Sequence, residues 1–303
     1  MNCELTIVGC GSAKPTRKHK PSSQVLDMRS KQFMIDCGEG TQANILNTNL
    51  HINRLDNIFI SHLHGDHCFG LIGLISTFAL YQRRKTLNIF GPPDLEKVFQ
   101  PMLDYFCRQI DFTVSLQSFS PYHSTCIYED RTVKVSTIPL KHRVPCCGFL
   151  FEETLGERHI KPDMIEYYHI PRSKIKDIKQ GADFQTEDGE MIQNKWLTTD
   201  PTPAVRYAYC SDTVYSEKIV PLIEGTDLLF HEATYTDDRL ASARDNMHST
   251  ATQAATIAKL ANVKQLIIGH YSSTINDEDI LLEQAKKIFE NTILANEGLK
   301  IRF

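Results

Sequence analysis

The run His62-Leu63-His64-Gly65-Asp66-His67 places three imidazoles and a carboxylate within six positions, straight after the apolar stretch Ile58-Phe59-Ile60. Neutral imidazole and carboxylate are ligands for first-row metal ions. A fold that uses them must hold this turn at the end of a buried strand and bring further ligands to it from elsewhere. The sequence offers such ligands in one kind of place. His142 follows a strand-like run over 133–140, Asp212 one over 204–210, His231 one over 227–230 and His270 one over 265–269. Ends of neighbouring strands converge in space, so residues distant in sequence can share one site.

Short β-branched and apolar runs predict further strands over 4–8, 24–28, 32–36, 57–61, 87–90, 112–118, 124–129 and 148–152. A turn-rich loop over 9–23 joins the first two. Helical patterns cover 41–50, 69–83, 93–108, 250–261 and 277–289, with Leu71, Leu74, Ile75, Phe78 and Leu80 forming one apolar face. Alternation on this scale indicates sheets covered by helices. The stretch 154–199 is different. It is charged, lacks a long apolar period and carries turn signals at Gly156, Pro162, Pro171, Gly181 and Gly189. A stretch of this kind inside a compact domain is usually functional. It reads as an arm at 154–199 inserted in a single domain spanning 1–303.

Composition narrows the partners. At 303 residues and 41% hydrophobic content, one large α/β domain is expected. The net charge of −4 gives no global attraction to nucleic acid, so such binding needs local basic patches. The nine cysteines are scattered, with no CxxC pair and no signal peptide before them, which reads as reduced thiols in the cytoplasm. No apolar run is long enough to cross a bilayer. Neither a membrane nor a nucleotide cofactor is expected.

Metal-assisted hydrolysis commonly uses two ions about 3.5–4 Å apart. His62, His64 and His142 are assigned to one ion, Asp66, His67 and His270 to the other, and Asp212 bridges both. Zinc suits this borderline nitrogen and oxygen set, and iron or manganese accept the same ligand types. A water shared by two cations ionises near neutral pH, and Asp66 can orient it and take its proton. His248 precedes a helix whose N-cap is Ser249 or Thr250. It can protonate a leaving oxygen, with Glu232 holding its tautomer and raising its basicity. His231 is placed in the same outer shell. Cys68 reads as a small buried residue, and His19, His51, His123, His159 and His169 as surface or satisfied polar groups.

With these residues in hand, His62 to His67 resembles the signature of the metallo-β-lactamase fold. One branch of that fold, the tRNA 3′-processing endonucleases called ribonuclease Z, is resembled through most of the chain. The matching strings are Gly9-Cys10-Gly11-Ser12-Ala13, Phe33-Met34-Ile35-Asp36-Cys37-Gly38-Glu39-Gly40-Thr41-Gln42, Ser211-Asp212-Thr213, His231-Glu232-Ala233-Thr234, His248-Ser249-Thr250 and Gly269-His270-Tyr271-Ser272. The resemblance implies an α+β, four-layer αββα sandwich with a dinuclear zinc site, two Zn2+ per chain. It implies cleavage of pre-tRNA after the discriminator nucleotide, leaving a 3′-hydroxyl on the tRNA and a 5′-phosphate on the trailer. It further implies a homodimer in which the arm of one subunit grips the tRNA bound at the other. Two strings depart from the branch. Pro15-Thr16-Arg17-Lys18-His19-Lys20 stands where the family often has P-x-K-x-R-N, and Ile170-Pro171-Arg172-Ser173-Lys174 replaces a Gly-Pro-rich arm tip.

The arm's charge suits RNA. Over 158–181 the cations Arg158, Lys161, Arg172, Lys174, Lys176 and Lys179 outnumber Asp163, Glu166 and Asp177. Arg172, Lys174, Lys176 and Lys179, with Arg17 and Lys18 of the first loop, are the expected phosphate contacts. A small-molecule phosphodiesterase, arylsulfatase-like enzyme or thioesterase on the same fold would share the metals but have no use for such an arm. An RNA-binding protein with a structural metal would close four positions around one ion and carry no bridging carboxylate.

Overall fold

The computed structural model describes residues 3–48 and 50–303. Two compact units are present, one formed by residues up to Glu152 together with Val205–Phe303, the other by Glu153–Ala204.

The larger unit contains two mixed seven-stranded sheets. The first runs Lys300–Arg302, Glu4–Gly9, Ser23–Met28, Lys31–Cys37, Leu55–Phe59, Leu87–Gly91, Val114–Ser118. Pairing is antiparallel up to Lys31–Cys37 and parallel beyond it. The second runs Thr292–Leu294, Gln265–Gly269, Leu228–Glu232, Arg206–Cys210, Cys147–Glu153, Val133–Pro139, Cys126–Glu129. Its first four strands are parallel, and Cys147–Glu153 pairs antiparallel to Arg206–Cys210.

Strand alternation sorts the first sheet's side chains between two cores. Phe33, Ile35, Phe59 and Phe90 join the core shared with the second sheet. Met34, Ile58, Ile60 and Ile89 face the opposite way, onto the helices Leu71–Leu80 and Leu95–Phe106 through Leu71, Leu74, Phe78, Leu95 and Phe99. Between the sheets the aromatic rings interlock. Phe59 stacks on Phe90 at 4.7 Å and meets Phe149 and Phe151 at 5.6 and 5.4 Å. The strands Leu228–Glu232 and Gln265–Gly269 are buried on both faces, which explains their continuous apolar runs. The helix Ala251–Leu260 covers them with Ala251, Ala254, Ala255 and Ala258, small side chains that permit close approach. Helix, sheet, sheet and helix make the α+β sandwich.

Two sequence expectations are adjusted and two strands are added. The helix expected over 69–83 begins only at Leu71, after a separate turn Gly65–Cys68. Gly70 marks the break, because a Cβ there would lie 2.1 Å from the Gly38 carbonyl oxygen. The helix expected over 41–50 is confined to Thr41–Ile45, and Asn49 of that expectation lies outside the described residues. The strands Thr292–Leu294 and Lys300–Arg302 escape a periodicity test because each has three residues.

The smaller unit has more regular structure than its sequence pattern indicates. Helices Pro162–Tyr167, Arg172–Lys179 and Asn194–Leu197 accompany two short ribbons, His159–Ile160 with Thr198–Thr199 and Phe184–Gln185 with Met191–Ile192. Ile170, Ile178, Phe184, Ile192 and Leu197 form its core. No element in it is long enough to display a period to the reader of a sequence.

Candidate metal centre

Strand register assembles the site. Ile35 pairs with Phe59, so Asp36 and the segment Ser61-His62 leave the first sheet side by side. In the second sheet Cys210 pairs with His231 and Glu232 with Gly269, so Asp212, Glu232 and His270 emerge from adjacent strand ends. Gly38 permits the close approach of the histidine turn, since a Cβ there would sit 2.4 Å from the Asp66 carbonyl oxygen. His62, His67, Asp212, Glu232 and His270 are all buried.

Two donor sets result. His62 Nε2 lies 3.1 Å from His64 Nδ1, which lies 3.3 Å from His142 Nε2. Asp212 Oδ2 is 3.6 Å from both His62 Nε2 and His142 Nε2. In the second set His67 Nε2 and His270 Nε2 are 3.3 Å apart. Asp66 Oδ2 is 3.4 and 3.5 Å from them, and Asp212 Oδ1 is 3.4 and 3.2 Å from them. Asp212 therefore turns one oxygen to each set. A tetrahedral zinc with ligands at about 2.0–2.1 Å separates neighbouring donors by about 3.3 Å, so both sets fit an ion of that size.

The remaining ring nitrogens are held. His67 Nδ1–H donates to Asp36 Oδ2 at 2.7 Å, and His142 Nδ1–H donates to the Met247 carbonyl at 3.0 Å. His62 Nδ1 meets Ser61 Oγ at 3.0 Å and His270 Nδ1 meets Thr234 Oγ1 at 2.9 Å. Such partners orient a ligating imidazole and set its tautomer. Burial pulls His62, His64 and His142 below the usual imidazole range, towards the neutral form that binds metal. His67 is raised: burial works against its charge but is outweighed by Asp212, Asp66 and Asp36 around it. Burial would raise Asp212 and Asp66, yet the neighbouring histidines hold both well below the usual carboxylate range. Negative charge concentrated this way favours a cation.

Asp36 was assigned no role from sequence. Its carboxylate is fully buried and also accepts from Tyr209 OH at 2.6 Å, Ser61 Oγ at 2.9 Å and the Ser61 N–H at 2.8 Å. The available signal was its place, an acid near the end of the buried strand Lys31–Cys37.

Beside the donors lies a cavity of about 250 Å³ lined by Asp66, His142, Arg143, Asp212, Tyr235 and His248, among others. His248 Nδ1–H donates to Glu232 Oε1 at 2.9 Å. Glu232 is fully engaged, with Oε1 also accepting from the Thr213 N–H and Oε2 from the Thr234 N–H and hydroxyl. Burial opposes a charge on His248, but Glu232 prevails and pushes it up to about 9. The helix behind it is capped by Thr250, whose side chain and that of Gln253 bond each other's backbone N–H. His231 points elsewhere: Nδ1 bonds the Glu232 carbonyl and Nε2 is buried without a hydrogen-bond partner.

Ribonuclease Z of Bacteroides thetaiotaomicron is 52% identical over 298 residues, covering 98% of this chain and 94% of the relative. The chain belongs to the ribonuclease Z family. Ribonuclease Z of Bacteroides fragilis is 51% identical over 298 residues, covering 98% of each. A family model described as Anti-Pycsar protein Apyc1 matches residues 3–291, and the chain is a member of that family too. Among solved structures, human tRNase Z, short form, has a TM-score of 0.71 at 24% identity, covering 98% of both chains. The metallo-β-lactamase fold protein YhfI from Bacillus subtilis has a TM-score of 0.70 at 18% identity over the full length of both. The sandwich is thus the metallo-β-lactamase fold, here in a ribonuclease Z family member with His and Asp clusters suited to a metal cofactor.

The expected phosphate contacts are less uniform. Arg17, Arg172, Lys174 and Lys176 are exposed. Lys18 is exposed but pairs with Glu278, and Lys179 pairs with Glu157 at 3.0 Å. Arg172, Lys176 and Lys179 share a helix face by their spacing, opposite the buried Ile178.

Proposed function

We propose that this ribonuclease Z family member removes the 3′ trailer from pre-tRNA, leaving a 3′-hydroxyl on the tRNA and a 5′-phosphate on the trailer. The observation that carries the reading is Asp212 shared between two tetrahedral donor sets beside the His248–Glu232 pair. Two Zn2+ per chain are the proposed cofactors, one held by His62, His64 and His142, the other by Asp66, His67 and His270, with Asp212 common to both. Bound there, they would supply charge stabilisation for the phosphoryl oxygens and a water ionised near neutral pH.

The chain's own groups do the rest. Asp66 accepts the Ala13 N–H at 2.7 Å, which fixes its carboxylate where it can orient a water and take its proton. Once the bond from phosphorus to the tRNA 3′-oxygen breaks, that oxygen needs a proton. His248 carries one at neutral pH because Glu232 holds it there. Arg143, on the cavity wall, offers a positive group to a substrate phosphate.

The unit Glu153–Ala204 serves, in this reading, as the inserted arm that binds tRNA backbone through Arg172, Lys174, Lys176 and Lys179, with Arg17 and Lys18 contributing from the first loop. A homodimer belongs to the same proposal. The exposed Leu80, Tyr81, Tyr105 and Phe106 are the kind of surface that copies of a chain bury. The cysteines are all free, which supports a reducing, cytoplasmic setting, and among the described residues no helix is long and apolar enough to cross a membrane.

The test is incubation with a 3′-extended pre-tRNA and mapping of the cut to the nucleotide, with and without chelator. A single chelator-sensitive cut at the discriminator is expected. Hydrolysis of a small aryl phosphodiester with pre-tRNA left intact would overturn the reading in favour of a small-molecule phosphodiesterase.

A further inference from the structure

A second cluster of metal-ligating side chains lies on the far side of His270. Cys10, directly after the strand Glu4–Gly9, has its Sγ 3.3 Å from His19 Nδ1. His19 Nδ1 is 3.0 Å from Glu297 Oε2. The sulfur, the nitrogen and the carboxylate oxygen all lie within 4.8 Å of one another. Cys10 and His19 are 1% and 5% exposed, so of the two readings of His19 from sequence, surface or satisfied polar group, the second holds. None of these groups has a part in the proposed cleavage.

We propose that Cys10, His19 and Glu297 bind one zinc-class divalent cation, separate from the histidine–aspartate centre. Three features of the cluster support this. His19 Nε2–H donates to Glu278 Oε1 at 3.1 Å, while Nδ1 faces the thiol and Glu297. A carboxylate on the far nitrogen is the arrangement that orients a ligating imidazole. Glu278 in turn holds Lys18, and Glu297 Oε1 accepts the Lys20 N–H at 2.7 Å, so both carboxylates are fixed in place. The third feature is charge. A dication with a thiolate, a neutral imidazole, two carboxylates and Lys18 sums to zero, so the ion's charge is balanced by its neighbours. Sulfur, nitrogen and oxygen donors together select zinc or cobalt over magnesium or calcium.

The ion would have three protein ligands and act as a crosslink within the chain. It would tie residues 10 and 19 to residue 297, across nearly the whole sequence. The Cys10 carbonyl accepts the His270 N–H at 2.8 Å, and His270 has a left-handed backbone, φ 63°. Fixing Cys10 thus steadies a non-glycine residue in a conformation that costs energy.

The experiment uses full-length protein stripped of metal and reloaded with Co2+. A thiolate-to-cobalt charge-transfer band in the near ultraviolet requires a sulfur ligand, and the histidine–aspartate centre has none. The wild type is expected to show the band and to hold one ion per chain more than Cys10→Ser, in which the band is lost. Cys146→Ser should keep it, although Cys146 Sγ lies 3.7 Å from His62 Nδ1. A wild type without the band, or a band that survives Cys10→Ser, overturns the proposal. The wild-type spectrum alone can do so, even where Cys10→Ser fails to fold. Because the band does not report on RNA, this outcome and that of the cleavage assay are independent.

Discussion

Asp36→Asn isolates the tuning of one ligand without changing side-chain volume. In the native structure Asp36 Oδ2 accepts from His67 Nδ1–H, Tyr209 OH and Ser61 Oγ, while Oδ1 accepts from the Ser61 N–H. With the proton on Nδ1, His67 presents a lone pair on Nε2 to Asp66, Asp212 and His270. An amide offers only one acceptor oxygen. If its nitrogen takes the Oδ2 place, it donates to Nδ1 and drives the His67 proton onto Nε2, the atom needed for metal. If its nitrogen takes the Oδ1 place, two buried donors face each other at Ser61, which costs about 1–3 kcal/mol. Loss of such a partner lowers metal affinity by about 10–100-fold, or about 1.4–2.8 kcal/mol. Competition with a chromophoric chelator measures this. The weakened ion should be the one held by Asp66, His67 and His270, with the set around His62, His64 and His142 retained. A folded Asp36→Asn protein that binds both ions with wild-type affinity would refute the tautomer reasoning.

Other substitutions separate the remaining roles. Asp212→Ala removes the carboxylate common to both donor sets, so bound metal and cleavage should disappear together in metal analysis and a trailer assay. His248→Ala should keep its metal content while slowing cleavage about 10²–10⁴-fold; release of the ions would contradict the proton-donor role. The pair Lys174→Ala and Lys176→Ala should lower the salt slope of pre-tRNA binding by about one unit for each lysine that contacts a phosphate, and leave aryl phosphodiester hydrolysis unchanged. An unchanged slope would remove Lys174 and Lys176 from the RNA backbone contacts.

Much of the fold was readable because its signals are local. The apolar runs around Phe33-Met34-Ile35 and Ile58-Phe59-Ile60 read as buried strands, and the helix Leu71–Leu80 shows its apolar face in its spacing. Elements too short for a period stayed hidden, as in the smaller unit and at Thr292–Leu294 and Lys300–Arg302. Part of the site was legible for a related reason. A buried strand that ends in His or Asp must deliver a polar group to the rim of a sheet. That rule applied to His62, His142, Asp212 and His270, and it covered Asp36 equally.

What the linear order of residues determined is most of the inventory: the longer strands, and which side chains of metal-ligating type stand near their ends. Only the tertiary structure decided who faces whom. Register set Asp212 with one oxygen towards each donor set, aimed His67 Nδ1 at Asp36, and turned His19, an unremarkable histidine in a basic loop, inward to Cys10 and Glu297. Burial and hydrogen-bond geometry depend on contacts across hundreds of positions, and a pattern confined to neighbours along the chain carries no record of them.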